Sequence, residues 1–158
     1  MNSAHLHLIL SHIPVIGIPL VLLIFFISLL KKSPAIFIAG CWILLLTSIT
    51  AIFVYNSGSP AHEIAETYPH FNRPAFESHR DLAPYTLLSC LFSGFLALVS
   101  LLFNQFRGQV IRFMVILTIL SVLASTVLLS LSANLGGRIM HQEINAPQPA
   151  NLDPGDTD

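Results

Sequence analysis

Four apolar runs dominate this 158-residue chain, at about 13–30, 36–55, 84–103 and 113–133. Each meets the roughly 17–25 residues that an α-helix needs to cross a bilayer. Inside hydrocarbon a backbone must satisfy its own hydrogen bonds, and in runs of this length that means helices. Composition agrees: 54% of residues are hydrophobic and 9% charged, where a soluble domain carries about a quarter charged. The mean hydropathy is +0.74. The expected fold class is an all-α membrane protein, with residues 1–144 as one four-helix transmembrane domain.

The connections suggest an up-down bundle. Lys31-Lys32-Ser33-Pro34 joins the first two runs and residues 104–112 join the last two, so both links are short. A longer loop, 56–83, lies between the second and third. Within it, Asn56 to Pro60 reads as a turn and 61–68 as a short helix opened by Ser59 and Pro60. Pro69 ends that helix, and Asn72 or Arg73 with Pro74 starts the next, which Pro84 is expected to bend. The first run reads as a membrane helix and not a signal peptide, because its basic pair follows the apolar stretch. Residues 145–158, with three Asp among Pro and Gly, read as a disordered acidic tail.

Charge gives the expected orientation. Lys31, Lys32, Arg107 and Arg112 sit on the side of the short connections, which holds no acidic residue. Arg73, Arg80, Arg138 and all eight Asp and Glu lie on the other. The positive-inside bias places the short connections in the cytoplasm, with both termini periplasmic, in a bacterial inner membrane. The net charge of −1 offers no field for nucleic acid. Cys41 and Cys90 fall inside apolar runs without a CxxC or CxxCH pattern, which excludes the usual c-type haem attachment. Cys41 lies near the inner end of its run and Cys90 near the outer end of its own, so packing is expected and not a disulfide.

All seven histidines fall on the outer side: His5, His7, His12, His62, His70, His79 and His141. His7 lies about 9 Å and His79 about 7 Å beyond the apolar core, if helical. His12 stands at the boundary. Gly136-Gly137 and the Gly58 turn are expected to fold His141 and His62 back toward the mouth. On one helix His7 and His12 would differ by about 140° in direction. Both can face one pocket only if the first helix begins near Pro14, with residues 5–11 as a separate segment.

Imidazoles gathered at a bundle mouth suit haem iron or a metal ion. The leading expectation is a haem b electron-transfer module, without a motif for enzymatic turnover. His12 with His79 or His141 would be axial ligands, Arg80 and Arg138 would meet the propionates, and Gly17 and Gly94 would leave room. The second is a copper, zinc or iron site for metal handling or as an oxidase accessory, drawing on His7, His12, His79, His141 and Glu143. The third is a cofactor-free structural or pH-responsive subunit, in which the histidines are solvated and the glycines only pack helices. Expected partners are the lipid bilayer, a quinone or periplasmic redox protein, and a second copy of the chain.

Three stretches, HLHLILSHIPVIG, SGSPAHEIAE…ESHRDLA and SANLGGRIMHQEI, resemble small four-helix bacterial membrane proteins of the domain-of-unknown-function 2231 family. The resemblance covers nearly the whole chain to Ile144, and its most specific part is LGG followed by a basic residue, His141 and Glu143. It implies the four-helix fold and marks His7, His12, His79, His141 and Glu143 as the matching positions. The family commonly has Glu after the third-helix histidine, where this chain has Arg80.

Overall fold

The computed structural model describes residues 2–141, and among them every element is helical: α1 (Ser3–Lys31), α2 (Pro34–Ala65), α3 (Arg73–Arg107) and α4 (Arg112–Met140). All four are long and apolar enough to cross a membrane. At 1.5 Å per residue, 29 to 35 residues give about 44–52 Å. A hydrocarbon core is about 30 Å thick, so each helix extends well past its apolar run.

Local chemistry sets the ends. The Asn2 side chain accepts from His5 N at 2.9 Å and starts α1. Lys32 closes that helix in the left-handed region at φ 49°. Ser33 and Pro34 open α2, Asn72 and Pro74 open α3, and Gly108 ends α3 at φ 62°, a conformation that suits glycine. Seven residues, Glu66 to Asn72, are all that separate α2 from α3. The long loop expected at 56–83 is thus mostly helix, supplied by extensions of α2 and α3.

Three local expectations are corrected. α1 runs unbroken through Pro14, so residues 5–11 are its first turns and not a separate segment. Asn56 to Pro60 is helix, not a turn. Gly136 and Gly137 lie within α4 and do not fold the chain back. Pro84 lies inside α3, within the helix where the sequence places it. The reason is shared: a proline or glycine costs a helix a bond or some entropy, but packing against a neighbouring helix overrides that weak preference.

Each helix packs on two others, α1 on α2 and α4, and α3 on α2 and α4. The core contains Ile18, Val21, Phe25, Phe37, Cys41 and Leu44, with the Phe25 and Phe37 rings 4.9 Å apart. Ile16, Leu23, Phe26, Leu46 and Phe95 point outward, an apolar exterior suited to lipid. Small residues hold the helices close. A Cβ on Gly17 would stand 2.9 Å from Thr47 Cγ2, and one on Gly94 would stand 2.6 Å from Ser48 Cβ. These two glycines fill helix contacts, the packing role that glycine commonly takes in membranes.

The α3–α4 contact follows a repeat of seven. Thr86, Ser93 and Ser100 on α3, and Thr118, Ser125 and Ser132 on α4, are all buried. Ser125 Oγ meets Ser93 Oγ at 2.9 Å and Ser89 Oγ at 2.7 Å. Ser100 and Thr118 instead donate to Leu96 O and Met114 O of their own helices. A period of 3.5 keeps such a seam facing its partner along the pair. Bonds of this kind in a membrane interior contribute about 0.6 kcal/mol each.

Candidate functional site

The first turns of α1 and α3 meet the far ends of α2 and α4, and there two histidines are seated alike. His7, on α1, contacts α2: its Nδ1 lies 3.1 Å from Val54 O and 2.9 Å from Ser57 Oγ. The Ser57 hydroxyl itself donates to Val54 O at 2.8 Å. His79, on α3, contacts α4: its Nδ1 lies 2.9 Å from Ser132 O and 3.3 Å from Ser132 Oγ. A carbonyl can only accept, so in both rings Nδ1 carries the proton and donates it. Each Nε2 is left with its lone pair, and neither makes a hydrogen bond to a described residue.

The two rings stand at the same end of the bundle. His7 lies on the stretch of α1 ahead of the apolar run at 13–30. Burial, and then the cost of protonating it beside a protonated His79, hold its pKa below the ordinary imidazole value, with the Val54 bond acting the other way. Glycines back both rings. A Cβ on Gly58 would stand 3.8 Å from His7 Cε1, and one on Gly136 would stand 3.4 Å from His79 Cε1. All four helices therefore contribute to this end: His7, then Val54, Ser57 and Gly58, then His79, then Ser132 and Gly136.

Other expected site residues lie elsewhere. His12 is exposed, and its Nδ1 turns back on Leu8 O of the same helix at 2.6 Å. Because α1 is continuous, His7 and His12 leave it in different directions, as the 140° rotation requires. Arg80 is exposed, 3.6 Å from Asp81 and 5.8 Å from the Phe76 ring centroid. Arg138 and His141 are exposed at the end of α4, where His141 is the C-cap residue. Glu143 and the stretch 145–158 fall outside the described residues. Among the described residues, no group of three or more His, Cys, Asp or Glu side chains is placed to hold a metal ion.

Beyond Gly58 on α2, His62 and the short connection to α3 form a second cluster. His62 stacks on Phe76, with centroids 3.8 Å apart and planes 11° off parallel, and Phe71 lies 5.4 Å away. Its Nε2 is 3.5 Å from Glu66, which also pairs with Arg73. Asn72 N donates to Ile139 O at 2.9 Å, so this short connection is tied to α4 as well. One signal was available in advance: His62 and Glu66 are four residues apart, on one helical face. Also readable were the sevenfold spacings 86, 93, 100 and 118, 125, 132.

No family model matches this sequence, and neither a curated protein nor a solved structure matches it. The geometry of the chain itself carries the functional reading.

Proposed function

We propose that this is a multi-pass protein of the bacterial inner membrane that binds haem b at its periplasmic end and passes electrons to a periplasmic partner or a quinone. The bundle would run up-down, with the 56–83 segment and both termini periplasmic and the Lys/Arg-rich connections cytoplasmic, as the charge bias favours. Membership of the domain-of-unknown-function 2231 family, which three stretches of the sequence resemble, belongs to the same proposal.

The observation that carries the reading is the matched seating of His7 and His79. A histidine that ligates a metal through one ring nitrogen almost always donates its other N–H to a carbonyl or carboxylate. Both rings have that second partner in place, on α2 for His7 and on α4 for His79. Two ligands on facing helices suffice for haem iron, whereas a closed bare-ion site draws on three or four. Gly58 and Gly136 leave the ring edges uncrowded. Haem b would supply reversible one-electron chemistry. The chain would supply two imidazoles whose Nδ1–H groups are already held by backbone carbonyls. In this proposal His7 and His79 would hold the haem iron, in place of His12 with His79 or His141.

The test is the absorption spectrum of protein purified in mild detergent from haem-supplied cells. A Soret band that shifts on reduction supports the reading, and a colourless protein contradicts it. A second reading, a cofactor-free pH-responsive subunit, is favoured by the seating of His7 against Val54 and Ser57, where burial disfavours its charged form. It predicts a colourless protein whose assembly changes as pH falls below 6.5.

A further inference from the structure

At the other end of α3, the turn into α4 forms a pocket of about 290 Å³ lined by Phe103, Arg107, Gln109 and Ile111. Its lining has two characters. Arg107 and Gln109 offer N–H donors, and Phe103 and Ile111 offer apolar surface. Arg107 sits in the last turn of α3, is exposed, and forms no ion pair among the described residues. Arg112 opens α4 just beyond, and Lys31 and Lys32 stand on the other short connection. Neither connection, 31–34 or 104–112, contains an Asp or Glu to neutralise these four cations.

We infer that this pocket binds the phosphate headgroup of an anionic membrane phospholipid. Arg107 and Gln109 would donate to the phosphate oxygens, a role for which the planar guanidinium fork is well suited. Phe103 and Ile111 would face the glycerol and the first acyl carbons. A soluble anion would have no use for that apolar half, whereas a lipid presents both characters at one depth. The turn joins two helices fit to span a bilayer, so it stands at headgroup level. With four cations and no acid nearby, an anionic headgroup is preferred over a zwitterionic one. The inference rests on the helices crossing a bilayer and is independent of the histidine pair.

The full chain would be reconstituted in an equimolar mixture of phosphatidylglycerol and phosphatidylcholine, then released gently and weighed by native mass spectrometry for bound lipid. The expected result is retention of phosphatidylglycerol over phosphatidylcholine, reduced about fivefold by Arg107→Gln. Arg107→Lys should keep part of the preference, and Arg73→Gln, at the other end of α3, should keep all of it. Equal retention of the two lipids would overturn the inference. So would an Arg107→Gln protein indistinguishable from the parent, or displacement of phosphatidylglycerol by inorganic phosphate, which would mark a site for soluble anions.

Discussion

Gly136 on α4 lies against the ring of His79 on α3, so that a Cβ added there would stand 3.4 Å from His79 Cε1 and 3.5 Å from its Nδ1. Alanine falls at the limit of ordinary contact and should be tolerated, with up to about 1 kcal/mol of gain from helix propensity. Leucine has no such room and should push the ring off Ser132 O. The haem content of Gly136→Ala and Gly136→Leu proteins checks this: the first should resemble the parent, and the second should bind little.

Gly94 and Ser48 test the α2–α3 contact away from the histidines. A Cβ on Gly94 would fall 2.6 Å from Ser48 Cβ and 2.8 Å from its Oγ. Gly94→Ala should therefore destabilise by about 1–3 kcal/mol through overpacking. Ser48→Gly in the same chain should recover part of the loss, whereas Ser48→Ala, which keeps the offending Cβ, should not. Thermal unfolding in detergent separates the three.

The serine seam makes a smaller prediction. Ser93 and Ser125 share a hydrogen bond of 2.9 Å, and Ser89 reaches the same hydroxyl at 2.7 Å. A double-mutant cycle to alanine at Ser93 and Ser125 should give a coupling of about 0.6 kcal/mol. A coupling indistinguishable from zero would mean that Ser89 takes over the partner when Ser93 is removed, and the triple variant would show it.

Protonation should weaken the histidine end. The folded-state pKa of His7 lies below the usual 6.5, so the unfolded chain binds this proton more readily than the folded one. The contribution of His7 is full above pH 6.5 and is lost as pH falls from there through its lowered folded value. Unfolding of cofactor-free protein followed across that window should show stability falling with acidification. The slope should flatten in His7→Gln, which keeps a polar side chain facing α2 without the titration.

Much of the scaffold was legible in the sequence because spanning helices are written as uninterrupted apolar runs. The four runs each lie within one helix, and Ser33, Asn72 and Gly108 mark boundaries through their own cap chemistry. The extensions beyond the runs were not legible. Pro14, Gly58, Pro60 and Gly136 all read locally as breaks, and only the facing helices reveal why they are not. Gly58 and Gly136 back the two imidazoles, information that no local window contains. The 140° angle between His7 and His12 was readable, but treating Pro14 as a helix start kept both in one site. The Ser/Thr rows at intervals of seven were readable as spacings, but only the packing of α3 on α4 shows that they form one seam.

The central claim is that His7 and His79, and not His12, form the ligand pair, and haem stoichiometry in single variants tests it most directly. His12→Ala, His7→Ala and His79→Ala proteins, purified alike after haem supply, would be compared by Soret absorbance per chain. The account predicts that His12→Ala keeps the parent's absorbance while His7→Ala and His79→Ala lose most of it. Loss in His12→Ala with retention in His7→Ala would contradict it.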